Sequence, residues 1–523
     1  MSSGHGYGNV GDEAQCSACI SRWRKVVPNC KITLFSPNPG FTEALHKEQC
    51  EWAPRVLWFR SNTIGPYDGN TIRFKIYYKW IYYRLIISAY MIKMGLPLLL
   101  CNANEARVLH VIFNHDILHI TGGGFLTGRT RSRLWENCLL MRLCKILDIP
   151  YFLTGHTIGV FQNKRDKHLA KIGLKHARYI GLRDHGISEK ELKQIGINGN
   201  HIQSTCDDAL LLSNKIERGE LKNYVTDAGI DWDKPWAAVN FHHWGQKDDQ
   251  IKKTQKRFAQ LCDHIIKNHG LQILFVAMTP TDVEPEVNIK KQMRQRGINI
   301  PYNANYEVVR AIIAHANLVV TLKHHPIVFA QGEGVPVIAI SFDDYYYHKN
   351  KGALDNTGHG RYIINKYDYF TNNIFKKINE VINSTSQIKN DMQCWLHKMM
   401  EIEYYPYNII LEELLFSQET IPQKIVIIGA GAEGLNLLKL SKKAYIEVEA
   451  FTDKNPTLLH KKLDGIPIIP LIDGLKMRLP IVISSMNIQK QILKEVKILI
   501  RKHTIESPII YNKYLQLINE RKK

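Results

Sequence analysis

The chain has 523 residues, 45% hydrophobic and 23% charged. This ordinary globular balance excludes collagen-like, coiled-coil, low-complexity and wholly disordered classes. Its 69 Lys+Arg against 49 Asp+Glu give a formal net charge of +20, a surplus that attracts phosphorylated substrates, polyanions or anionic membrane faces without choosing among them. At about 100–200 residues per domain, the length suits roughly three domains.

The first element is the turn Gly6-Tyr-Gly8-Asn9-Val-Gly11-Asp12-Glu13. Its glycines allow backbone N–H groups to approach a ligand, and Asp12 and Glu13 are placed to cap a following helix. The plainer reading is a tight turn with a cap, which leaves Asn9 unexplained. Met1–Asp12 has no apolar core, so no secretory leader is expected. With ten scattered cysteines, this predicts a reduced, cytoplasmic protein. Cys16 and Cys19 form a lone CxxC without a second pair or a histidine pair at zinc spacing. They read as half-buried small residues, and no metal is expected.

Arg73–Arg84 mixes bases with aromatics, and Leu85–Ile92 is uncharged but far short of the ~20 residues a span needs. The segment reads as a core-facing helix with a solvated basic edge, or as an amphipathic helix on an anionic leaflet. Short β-type runs then alternate with helical patterns, as in parallel sheets with crossover helices. Ile117–Ile120 ends in Gly122-Gly123-Gly124. After a helix at Arg131–Ile146, Tyr151–Thr154 ends in Gly155-His156-Thr-Ile-Gly159. Tyr179–Leu182 leads to Arg183-Asp184, and Asp207-Asp208 follow. Glycines after a strand suit close approach of a phosphate or sugar.

A second series follows the charged stretch 214–234. Its strands are Trp236–Phe241, Gln272–Met278, Asn317–Leu322 and Val335–Ser341. His242, His243 and Trp244 end the first of these and are placed to face a cleft. The third delivers Lys323, His324 and His325 to a helix start. A cation and an imidazole there suit anion holding and proton transfer. His324 is the member of the pair that reads as a core residue.

A linker at 416–423 precedes a third block. There Ile425–Ile428, Gly429-Ala-Gly431-Ala-Glu-Gly434 and Asp453 reproduce a strand, glycine loop and acid at dinucleotide-binding spacing. NAD, a nucleotide-sugar or mere packing fits this module equally. The domains are therefore expected at 1–213, 214–415 and 416–523, the first two Rossmann-like and GT-B-like in arrangement and the last a Rossmann-like module.

In order, Gly8–Glu13, Gly122–Gly124, Gly155–Gly159, Arg183-Asp184 and Lys323–His325 running into Gly334–Ser341 resemble the polysaccharide pyruvyl transferase family. The resemblance implies transfer of a pyruvyl group from phosphoenolpyruvate onto two sugar hydroxyls, giving a cyclic ketal without a required cofactor. It matches His325 to the general acid, and Arg183 and Lys323 to the groups that grip the donor. Gly8, Asn9, Gly11, Asp12, Gly122, Gly123, Gly124 and His243 are the expected substrate contacts. Gly429, Gly431, Gly434 and Asp453 are the expected nucleotide contacts. The implied partners are a saccharide acceptor, lipid-linked or free, with membrane contact at the inner face and no nucleic acid.

Three departures stand out. Lys323 replaces the family's arginine and loses its planar fork. His156 and Val160 replace the usual Gln and Pro. No strand is visible ahead of the opening turn. A GT-B glycosyltransferase with a nucleotide-sugar donor, or a non-catalytic glycan- or nucleotide-binding relative, are the competing readings.

Overall fold

The short apolar runs form three parallel sheets. The computed structural model describes the chain apart from residues 3, 55–71, 162, 185, 213–215, 243–247, 418–423, 444–445, 485–491, 493–494, 497, 501–502, 504–509 and 513–523. The chain divides into two units, Met1–Ile410 and Leu411–Lys523, and the first contains two lobes.

In the first lobe the strands are β1 (Thr33–Ser36), β2 (Gln49–Trp52), β3 (Leu118–Ile120), β4 (Gly123–Leu126), β5 (Tyr151–Ile158), β6 (Ile180–Leu182) and β7 (Ile202–Ser204). β3, β5, β6 and β7 lie side by side, with β4 beside the far end of β5. In place of a strand ahead of the opening turn, Ser2 makes two isolated parallel bridges. Its N–H donates to the His119 carbonyl and its carbonyl accepts from Thr121 N–H, both at 3.0 Å. Ser2 also bridges to Phe35. It thereby joins β1–β2 to β3 and completes one parallel sheet. The β5 run predicted to stop at Thr154 continues through Gly155 to Ile158, because Gly155 takes the left-handed φ of 59° that other residues resist.

The second lobe holds β8 (Trp236–Asn240), β9 (Gln272–Phe275), β10 (Gly297–Asn299), β11 (Leu318–Thr321), β12 (Val337–Ile340) and β13 (Ile363–Ile364). They pair in the order β10-β9-β8-β11-β12-β13, a doubly wound order whose reversal point lies between β8 and β11. β8 is buried throughout, as a central parallel strand covered on both faces must be.

The opening helix Val10–Val26 belongs to both lobes. Val10 and Ala14 enter the core of the second lobe, while Trp23 packs edge-on against Phe152 of β5 at 5.9 Å between ring centroids. After the second lobe the chain returns to the first. Tyr407 packs on Trp23 at 5.0 Å, and Glu403 pairs with Arg22 at 2.9 Å. The helix Ile72–Lys93 sets Tyr78, Ile81, Leu85, Ala89 and Ile92 into the first-lobe core.

The second unit is a smaller Rossmann-like module. Its strands are β14 (Lys424–Ile428), β15 (Glu447–Thr452), β16 (Lys462–Leu463), β17 (Ile466–Ile469), β18 (Ile481–Ile483) and β19 (Ile510–Asn512). They run β16-β17-β15-β14-β18-β19, parallel except for the β16–β17 pair. Gly429 turns the chain at φ 102°. A Cβ on Gly434 would lie 2.0 Å from the Gly429 carbonyl oxygen, whereas one on Gly431 would meet nothing within 4 Å. The three glycines therefore take the turn, open-approach and helix-packing roles of a dinucleotide loop. Asp453 sits beside that loop, Oδ2 accepting from Ala430 N–H at 2.8 Å. These residues fit a nucleotide.

Candidate active site

The carboxyl ends of β4, β9 and β11 meet the opening turn around a cavity of about 460 Å³, a volume ordinary for a small-molecule site. Each lobe brings its own charges to it. Arg129, Arg133 and Arg183 come from the first lobe, and Lys323, His324, His325 and Lys349 from the second. Asp12 is the sole carboxylate among the described lining residues.

Arg183 follows β6 and is fully buried. Its Nε donates to Thr157 Oγ1 at 3.0 Å and its Nη1 to Asp207 Oδ2 at 2.5 Å. Asp207 also receives Gln15 Nε2 at 2.8 Å. Burial acts to raise the Asp207 carboxyl, but Arg183 and His324 outweigh it and hold it well below the usual range. It is therefore an anion that fixes the guanidinium in place. Nη2 of Arg183 has no partner among the described residues. It lies close to Gly124, whose Cβ, if present, would stand 3.5 Å away. A buried N–H this close to a cavity and lacking an acceptor is a ready contact for an anion.

Lys323 lines the cavity, but its ammonium is engaged, donating to Thr279 Oγ1 at 2.8 Å and Asp282 Oδ2 at 2.7 Å. Asp282 also meets His242 Nδ1 at 3.1 Å. This buried cluster sits at the β8–β11 reversal point. Lys323 ends β11 at the start of the helix His324–Gly332, whose N-terminus carries no side-chain cap.

His325 is buried against the opening helix. A Cβ on Gly11 would fall 1.8 Å from its Cγ, so Gly11 serves this ring contact rather than a ligand. Its Nε2 has no hydrogen-bond partner among the described residues and stands 4.0 Å from Asp12 Oδ1. Burial pushes the imidazole down to about 4, against the upward pull of Asp207 and Asp12. His324 lies deeper, 3.5 Å from Asp207 Oδ2, and burial and Arg183 hold it well below the usual imidazole range.

The opening turn is built differently from the sequence expectation. Asn9, not Asp12 or Glu13, is the helix cap, accepting from Gly11 N–H at 3.1 Å. Glu13 turns back instead, accepting from Gly6 N–H at 2.8 Å and meeting His46 at 2.9 Å. The Gly8 carbonyl accepts from Tyr302 of the second lobe. Of the expected substrate contacts, Asn9, Asp12 and Gly124 line the cavity, while Gly8, Gly11, Gly122 and Gly123 do not. Gly122 donates to Asp208 at 2.7 Å, and Asp208 is braced by Thr154 and Arg22. His243 and Trp244 lie outside the described residues.

The lining residues that escaped the sequence reading include Arg129, Arg133, Tyr345 and Lys349. Arg129 pairs with Asp343 at 2.8 Å. Arg133 lies over the Phe125 ring at 4.3 Å and has no carboxylate partner among the described residues. Tyr345 and Lys349 come from the helix Asp344–Asp355. Burial, and next Arg183, bring the Lys349 ammonium down to about 7. The signal was present in Arg129 and Arg133, spaced four apart after Gly124-Phe125, and in the run Tyr345-Tyr346-Tyr347-His348-Lys349.

Two Rossmann-like lobes thus close on a cationic, imidazole-bearing cavity whose charge suits a small anion. Residues 9–345 match the polysaccharide pyruvyl transferase family, and the chain belongs to that family. Among curated proteins, the amylovoran biosynthesis protein AmsJ of Erwinia amylovora is 19% identical over 296 residues, covering 53% of this chain and 68% of AmsJ. Among solved structures, the UDP-GlcNAc 2-epimerase of Neisseria meningitidis bound to UDP-GlcNAc superposes with a TM-score of 0.47 at 11% identity, covering 74% of this chain and 96% of that one. Anabaena Alr3699/HepE in complex with UDP gives 0.44 at 14% identity, covering 77% and 98%.

Proposed function

We propose that the chain moves the pyruvyl group of phosphoenolpyruvate onto two hydroxyls of a saccharide acceptor in polysaccharide synthesis. The observation that carries this reading is the charge of the cavity: five basic side chains and two imidazoles against one carboxylate. Phosphoenolpyruvate is compact and multiply anionic. Arg183 Nη2, Arg133 and Lys349 are the cationic groups there without a carboxylate of their own, and they are assigned to its phosphate and carboxylate. The uncapped N–H groups of the His324–Gly332 helix add to that grip.

In the proposed chemistry His325 gives a proton to the methylene carbon of the donor, leaving a cation at C2. One acceptor hydroxyl attacks C2 and loses its proton to Asp12. The C2–O bond to phosphate then breaks, phosphate takes the bonding pair, and the second hydroxyl closes the ketal, giving its proton to the departing phosphate. The cations that held the donor offset the charge gathering on phosphate. With the imidazole at about 4 in the free cavity, His325 becomes an acid only as the anionic donor arrives and raises its proton affinity. The ten free thiols suit a reducing compartment for the reaction.

The test is phosphate release from phosphoenolpyruvate across a panel of acceptor glycans. At least one acceptor should support release, and His325→Ala should abolish it while leaving donor binding largely intact. Silence across the panel, or an active His325→Ala variant, would overturn the reading.

A further inference from the structure

A helix on a protein surface normally turns polar residues to water. The helix Ile72–Lys93 does not. It contains no acidic residue, and its buried face, from Tyr78 to Ile92, is used fully by the first-lobe core. On the opposite face stand Ile76, Trp80, Tyr83, Ile87, Tyr90 and Met94, between 47% and 64% exposed. Their spacing of four, three, four, three and four residues draws one continuous stripe. The solvated basic edge read from the sequence is therefore an aromatic and aliphatic edge, accompanied by the exposed Lys79 and Lys93. Leu96, Leu99 and Leu100 in the loop beyond are exposed as well and extend the patch.

A patch of this kind marks a surface that something covers. We infer that this helix docks the protein on an anionic lipid bilayer, lying in the plane of the headgroups with the stripe inserted. Charge decides among the occupants. The helix brings five bases and no acid of its own, with Lys93 paired to the neighbouring Asp148, so a second copy of the same helix would set base against base across a two-fold axis, whereas an anionic leaflet neutralises them. Trp and Tyr are also the side chains that favour the headgroup depth. Insertion across the bilayer is a different matter: no described helix is long and apolar enough to cross a membrane. The inference rests on this face alone and stands or falls independently of the reaction proposed above.

Flotation of the full chain with vesicles tests it. The protein should float with equimolar phosphatidylglycerol and phosphatidylcholine, and much less with phosphatidylcholine alone or in high salt. Tyr83→Glu with Ile87→Glu should weaken binding by roughly tenfold or more while leaving the melting temperature unchanged. Tyr83→Trp with Ile87→Leu should retain binding. As a check free of folding effects, lipids brominated in the acyl chains should quench tryptophan fluorescence in the native protein and much less in Trp80→Tyr. Failure to float, flotation insensitive to the Glu pair, or a dimer that the Glu pair dissociates would each overturn the inference.

Discussion

Lys349 is where the proposed grip on the donor costs stability. A lysine held at about 7 instead of 10.5 is a cation that folding has drawn partly out of water beside Arg183. Between those two values the unfolded chain carries a proton that the folded one lacks, so this group's contribution makes the protein more stable as pH rises through that window. Below about 7 the full penalty applies. Lys349→Met should accordingly raise the melting temperature, most at neutral pH and least near pH 10, while raising the donor KM by roughly tenfold, the loss of one charged hydrogen bond. Thermal melts against pH and steady-state kinetics check both halves. A variant that lost stability and kept its KM would remove Lys349 from the site. Donor binding should also draw protons from solution near neutral pH, as Lys349 and His325 take up charge, and titration calorimetry in buffers of different ionisation enthalpy reads that uptake.

At the scale of elements, the opening turn and the histidine helix form a single device. Gly11 has no side chain because the His325 ring occupies that space. Gly11→Ala should leave the fold intact but push the ring off its position, lowering kcat by roughly 100-fold, the usual size of a displaced acid, with little change in KM. Rapid-quench phosphate release separates the two. The sequence showed the strands, the glycine turns and the residues Arg183, Lys323 and His325 that line one cavity, because each follows a strand that periodicity reveals; it did not show that Lys323 spends its ammonium on Asp282. It did not show the bridge by which Ser2 joins Phe35 to Ile120 in the first lobe, since so short a segment has no period to read. Nor did it show that Asn9 was the cap, since Asn, Asp and Glu compete at such a turn. Arg129, Arg133 and Lys349 were passed over because a base in a turn or on an ordinary helix looks solvated until the fold places it inside a cleft. The same ambiguity hid the outer face of the Ile72–Lys93 helix: the pattern marks an apolar residue, not the side it faces.

For the whole molecule, the separate cores of the two units predict unfolding that is not two-state. Calorimetry should resolve two transitions. Phosphoenolpyruvate should move only the one belonging to Met1–Ile410, and NAD or a nucleotide-sugar only the one belonging to Leu411–Lys523, by the mass action of a ligand on its own unit. A single transition shifted by both would refute that independence.

The lopsided charge of the cavity also governs how a turnover ends. In the proposed reaction, the basic groups that would draw in the donor also face the departing phosphate with undiminished attraction, and one aspartate offers it little push. Egress, rather than bond making, should then set the pace. Free orthophosphate and sulfate become competitors of the donor, and a modest rise in ionic strength hastens the cycle before it starves the enzyme of substrate.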